Sequence, residues 1–275
     1  MHKPFEHILI LSDFDGTFAG KNGRIVPRNL AAIERFQALG GHFTFSTGRL
    51  PSVLAELYPD FPKVANAPVV MSNGAVLYDP LNDTVLKEFF FDGVFARRAA
   101  KDILARFPDM DFVCYADDGV MQQDLTPDEV RGDRWRKMRF HSPSHDQVLA
   151  CRDYMRAAYG DRYNVFRSWH SIVEAVDKTV TKGNMIACLR EYYAARGLDD
   201  LIVCCIGDFE NDIDMLKSAD VAFCPSNAID AVKAISHHIL CDHDEGAVAT
   251  MIEVIEKETD SGALPRAHEP NTPSV

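Results

Sequence analysis

Two aspartates one residue apart, Asp13 and Asp15, stand in the run Asp13-Phe14-Asp15-Gly16-Thr17, directly after an apolar stretch. Paired carboxylates at one strand end can divide a two-step displacement. One attacks while the other moves protons, if their surroundings separate their pKa values. The same residues also suit a plain turn with a capping aspartate. Three further polar segments follow. Ser46-Thr47-Gly48-Arg49 offers a hydroxyl and free backbone amides to a phosphate oxygen at a helix start. Thr181-Lys182-Gly183 opens another helix with a lysine, a compact charge able to reach a phosphoryl group. Gly207-Asp208-Phe209-Glu210-Asn211-Asp212 follows a second apolar run, and its carboxylates are the oxygen donors a hard cation takes. Each segment alone also fits an ordinary turn, cap or solvated lysine. What singles them out is their order together with their shared context.

That context comes from the elements around them. Residues 7–12 form an apolar run too short for a helix, so they read as a buried strand. Leu30, Ile33, Phe36 and Leu39 recur at helical spacing before Gly40-Gly41. Strands at 42–46 and 69–72, and later at 201–206 and 220–223, alternate with helices at 182–196, 211–218, 226–235 and 247–258, with Ser226 as a helix cap. This alternation predicts a parallel sheet covered by helices on both faces. Ligands bind such sheets at the carboxyl ends of the strands, where all four segments fall.

Between residues 81 and 179 the pattern changes. A strand at 84–91, a helix at 95–107, two strands flanking Asp117-Asp118-Gly119, a helix at 144–160 and strands at 163–168 and 170–176 predict a small α+β unit. The fold class is therefore α/β, a Rossmann-like parallel-sheet core with an inserted α+β cap domain. The core is expected at 1–80 and 180–260, the cap at 81–179, and a flexible tail at 261–275.

Composition narrows the function classes. A net charge of -12 over 275 residues disfavours nucleic-acid and membrane partners. The seven cysteines are odd in number and contain no CxxC pair, so they read as reduced core residues rather than a disulfide or zinc framework. The N-terminus resembles no signal peptide, and no apolar run reaches the ~20 residues that span a bilayer. The cytoplasm is the expected compartment. Dinucleotide and P-loop fingerprints are absent from the sequence.

The motifs DFDGT, STGR, KG and GDxxND, starting at Asp13, Ser46, Lys182 and Gly207, resemble those of the haloacid dehalogenase superfamily. The resemblance is nearest to its Cof-type branch with a type IIB cap, and Ser72-Asn73-Gly74-Ala75 is similar to that branch's segment before the cap. It implies a Mg²⁺-dependent phosphatase acting on a small-molecule phosphate ester through an aspartyl-phosphate. Asp13 would be the nucleophile and Asp15 the general acid and base. Thr47, Gly48, Lys182 and Asn211 would bind the phosphoryl group. Asp13, Asp15, Asp208 and Asp212 would serve the metal. Two departures stand out: Cys224-Pro225-Ser226-Asn227-Ala228 replaces the common MGNA, and Phe18 replaces a frequent leucine.

The leaving group is expected to be read by the cap. Trp135, Trp169, His170, Arg134, Arg136 and Arg167 are the cap candidates, with Asn73 from the core; a sugar phosphate is the expected substrate type. A phosphomutase, or a catalytically silent binding protein on the same fold, are the alternatives. The oligomeric state, monomer or homodimer, is left open.

Overall fold

The computed structural model describes residues 3–116 and 120–264. The expected turn at Asp117-Asp118-Gly119 and the tail from residue 265 lie outside the described residues. Among the described residues, five strands form one parallel sheet in the order His238–Ile239, Val221–Cys224, Ile202–Ile206, Ile8–Ser12 and His42–Phe45. Ile8–Ser12 is buried along its whole length. Ile8 and Ile10 enter one apolar cluster with the helices Pro27–Ala38 and Ala247–Ser261. Leu9 and Leu11 enter another with Asn184–Ala194 and Ile213–Ser218. Helices on both faces are why this strand reads as a continuous apolar run rather than an alternating one.

The strand near residue 70 departs from expectation. Val69–Met71 touches the parallel sheet through one bridge, Ser46 to Val70. It otherwise pairs antiparallel with Val76–Asp79, which pairs with Thr84–Glu88. Ser72, Asn73 and Gly74 all have positive φ and reverse the chain between these strands. The expected strand at 84–91 is thus two: Thr84–Glu88 in this sheet and Phe91–Asp92 in the next.

The second large sheet holds Tyr163–Trp169, Ile172–Asp177, Arg134–His141, Asp111–Ala116 and Met121–Gln123, with Phe91–Asp92 also paired to Arg134–His141. The helices Gly93–Arg106 and His145–Tyr159 pack on one face. Its central strand, Arg134–His141, is absent from the sequence reading. The run RWRKMRFH is so basic that its buried members do not stand out. A register shift beside Ala116 places both Trp135 and the pair Met138 and Phe140 in the same apolar cluster. Trp135 is fully buried against Phe91 and Phe112, and its indole N–H donates to the Gly132 carbonyl. This corrects the expectation that Trp135 touches a leaving group. Arg134 lies over the Phe90 ring, and Arg136 is paired with Glu88 and bonds the Ala116 carbonyl, so both serve packing within this unit. No helix among the described residues is long and apolar enough to cross a membrane.

Trp135→Ala is expected to destabilise the protein by about 3–5 kcal/mol, the cost of emptying a large enclosed site. Urea unfolding checks this. In Trp169→Phe protein, the remaining Trp135 emission should be blue-shifted and quenched poorly by iodide.

Candidate active site

The four polar segments converge at the carboxyl edge of the parallel sheet. Asp13 leaves the central strand, its amide bonded to the Ile206 carbonyl at 2.9 Å. Phe14 and Phe18 anchor the following turn among Phe45 and Tyr58, so Phe18 is a core residue. Gly16 has φ +81°, and a Cβ there would lie 2.7 Å from an Asp208 carboxylate oxygen. Only glycine lets the turn come this close. The loop after His42–Phe45 is tied to the neighbouring segment. The Thr47 amide donates to Val70 O, the Asn73 amide to Thr47 O, and the Ser72 amide to Arg49 O. Asn73 is thereby held in a left-handed conformation, φ +57°, at the site. Lys182 stands just before the helix Asn184–Ala194, whose first amide donates to the Thr181 hydroxyl at 2.9 Å.

Lys182 is the centre of the arrangement. Its side chain is fully buried, with Nζ 2.6 Å from Asp13 Oδ1 and 2.7 Å from Asp212 Oδ1. The other Asp212 oxygen accepts the amides of Asp208 and Phe209 at 3.0 and 3.1 Å. Asp208 accepts the Thr17 hydroxyl at 2.8 Å. Burial alone would depress the Lys182 pKa, but Asp13 and Asp212 outweigh it and hold the ammonium charged. Burial pushes the Asp13 carboxyl well above the usual range, against the pull of Lys182 and with Asp212, Asp208 and Asp15 adding repulsion. Burial, then Asp212, raises Asp208 to about 7 despite the Thr17 hydrogen bond.

Oxygens of Asp13, Asp208 and Asp212 lie within 4.8 Å of one another. Three buried carboxylates face one lysine, so the cluster is short of positive charge. An all-oxygen donor set with that deficit fits a hard divalent cation. The Asp15 carboxylate is turned elsewhere, gripped at both oxygens by Arg49 at 2.7 Å each. Sequence reasoning named Arg49 only as part of its segment. Arginine's planar fork suits a carboxylate, but its pairing with Asp15 appears only in the fold.

A second layer of polar contacts reaches across from the cap sheet. Asn211 Nδ2 donates to Asn73 Oδ1 at 3.0 Å, and Asn73 Nδ2 donates to Glu174 Oε2 at 2.7 Å. Lys137 pairs with Glu174 at 2.5 Å and donates to the Gly48 carbonyl at 2.8 Å, both side chains being 4% exposed. Lys137 and Glu174 were not identified from sequence, because nothing local sets them apart from surface charges. Trp169, His170 and Arg167 gather elsewhere, on the loop that carries Asp208. Trp169 and His170 pack on Phe209, with ring centroids 6.1 and 5.0 Å away. The Arg167 amide donates to Glu210 at 2.7 Å, and Arg152 joins Glu210 at 3.0 Å. Ser226 caps no helix; the helix there is Asp230–Lys233, with Ile229 before it. Its neighbour Asn227 instead donates to the Gly16 carbonyl at 2.9 Å, bracing the turn after Asp15.

Comparison with known proteins bears on the family and the fold. A family model described as haloacid dehalogenase-like hydrolase matches residues 10–146 and 123–252. The 5-amino-6-(5-phospho-D-ribitylamino)uracil phosphatase YitU of Bacillus subtilis is 24% identical, covering 91% of this chain and 97% of its own. The pyridoxal phosphate phosphatase YbhA of Escherichia coli is 23% identical, covering 89% and 97%. The solved structure of the HAD subclass IIB sugar phosphatase BT4131 superposes with a TM-score of 0.73 at 15% identity, covering 90% and 98%.

Replacing Lys182 by Met leaves Asp13 and Asp212 buried without a counter-charge. Stability in metal-free buffer should fall by about 3–5 kcal/mol, measured by urea unfolding. Adding Asp13→Asn and Asp212→Asn to that variant should recover most of the loss.

Proposed function

This chain belongs to the haloacid dehalogenase-like hydrolase family and is a phosphoric monoester hydrolase, and we propose that it uses Mg²⁺ and an Asp13 nucleophile on a small phosphorylated metabolite such as a sugar phosphate. One observation carries the reading: the buried Lys182 ammonium bridging Asp13 and Asp212 beside Asp208. It supplies an aligned nucleophile and a cation on the same point. The cap is taken as residues 81–179 and the core as 1–80 with 180–260.

In the proposed reaction the Asp13 carboxylate attacks phosphorus, the bond to the leaving oxygen breaks, and Asp15 gives that oxygen its proton. The product is an alcohol and an aspartyl-phosphate on Asp13. Asp15, now ionised, takes a proton from water as the water attacks phosphorus; the bond between phosphorus and the Asp13 oxygen breaks, releasing inorganic phosphate and restoring the Asp13 carboxylate and the protonated Asp15. Thr47, the Gly48 segment, Lys182 and Asn211 bind phosphoryl oxygens and offset the charge spread over them. Mg²⁺, held by Asp13 and Asp208 with the Asp15 carbonyl and supported by Asp212, would supply the remaining positive charge. Arg49 positions Asp15 and releases one of its oxygens to the leaving group. Asn73, Trp169, His170 and Arg167 are kept as contacts on the leaving-group side, where Trp169 is 46% exposed. The cap excludes water while the acyl-phosphate exists.

Phosphate release from p-nitrophenyl phosphate should require Mg²⁺ and stop with EDTA. Asp13→Asn should lower kcat by at least about 10³-fold; a variant that keeps its turnover would sink the assignment. Arg49→Met should lower kcat by about 10²-fold through misplacement of Asp15, with KM little changed. Mg²⁺ should also raise the melting temperature of the wild type, by up to about 2.7 kcal/mol of stabilisation at a hundredfold excess over Kd. Asp208→Asn should abolish that rise.

A further inference from the structure

The cap sheet turns one face to its helices and the other to the catalytic loops. Along the central strand Arg134–His141, Met138 and Phe140 enter the apolar cluster beneath the helices. Side chains alternate along a strand, so Lys137 and Arg139 share the opposite face. Lys137 identifies that face, because it reaches the Gly48 carbonyl. The flanking strands set Val113 and Glu174 directly beside Arg139. Glu174 touches Asn73, and Val113 packs with Leu50 just beyond Arg49. Arg139 therefore stands among groups that each contact a catalytic loop.

Its charge is unanswered. Glu174, its cross-strand neighbour, commits one oxygen to Lys137 and the other to Asn73. Among the described residues Arg139 forms no ion pair, and its Nε is buried without an acceptor. Arg136, Arg152 and Arg167 of the same unit each have a carboxylate. A guanidinium does not relieve this by losing its proton. An unpaired, partly desolvated fork is costly to hold unless a ligand completes it. Lys137 and Glu174 cancel and Asp111 faces His141, so the Arg139 charge is left without a carboxylate of its own.

We propose that Arg139 binds a second oxyanion, a carboxylate or a phosphate, on the leaving group, so that the preferred substrate is a phosphate monoester with a further acidic group. This rests on the phosphatase reading and narrows its substrate class. The oxyanion would sit on the fork in two parallel hydrogen bonds, while the phosphoryl group undergoing transfer lies at Asp13 and Lys182. Lys137, already bound to Glu174 and Gly48, holds the strand against the loop.

Matched substrate pairs test this with the Mg²⁺-loaded protein. Glycerol 1-phosphate against 3-phosphoglycerate adds a carboxylate; fructose 1-phosphate against fructose 1,6-bisphosphate adds a phosphate. In the wild type the acidic member of at least one pair should win by tenfold or more in kcat/KM, and the pair that responds identifies the oxyanion. Arg139→Gln should bring that ratio to within threefold, chiefly through KM, and Arg139→Lys should leave an intermediate ratio. Should either variant fold poorly by circular dichroism, the other carries the comparison. An unchanged ratio in the variants, or a wild-type preference for the members that lack the second acidic group, overturns the inference while leaving the phosphatase reading intact. Absence of Mg²⁺-dependent turnover on all four esters and on p-nitrophenyl phosphate overturns both.

Discussion

A single ammonium group, Lys182 Nζ, lies fully buried between two carboxylates from widely separated parts of the chain. Removing a lysine from water is expensive, and the surroundings must repay it in geometry and hydrogen bonds. Here they do so in a chain of contacts. Asp212 meets the lysine with one oxygen and two backbone amides with the other, which fixes the path of the loop after Ile202–Ile206. That loop presents Asp208, which takes the Thr17 hydroxyl and closes against Gly16. The turn after Asp13 is thereby shaped by the loop of the neighbouring strand. The five-stranded parallel sheet is what makes this possible, since neighbouring strands end on one edge.

The same cluster carries more negative than positive charge, and this shapes the rest of the site. Burial lifts Asp13 and Asp208 toward protonation. A dication would keep them ionised, which the proposed attack by Asp13 requires. Asp15 lies apart from this cluster, because Arg49 grips both oxygens of its carboxylate. Two aspartates separated only by Phe14 thus face different partners, which suits a division between attack and proton transfer.

The cap meets the core by charged and amide groups rather than by an apolar seam alone. Lys137, Glu174, Asn73 and Asn211 form a continuous polar bridge. Glu210 receives Arg152 and Arg167 beside the metal-type cluster. Groups of this kind hold well when dry and exchange readily with water. Such a contact suits a cap that must admit an ester and release an alcohol.

The α/β core and the segments that converge at its edge, with Asp13, Asp208 and Lys182, were legible in the sequence because each rests on local information: apolar runs of strand length, glycine at a tight turn, and short polar motifs. The division of the strand near residue 90 and the six-stranded second sheet were less so. Its central strand is rich in arginine and lysine, and a basic run shows no apolar alternation even when half of it is buried. The grip of Arg49 on Asp15, the Lys137–Glu174 pair and the unanswered charge of Arg139 were illegible for a different reason. Each depends on which residues stand opposite one another across strands and across the cap–core boundary. By itself the sequence determined which residue types stand at the strand ends, the carboxylates, hydroxyl and lysine that the proposed attack, proton transfer and cation binding would each demand. Tertiary structure alone decided which charges find a partner, because pairing depends on distances of a few ångströms between segments that the chain order leaves unrelated.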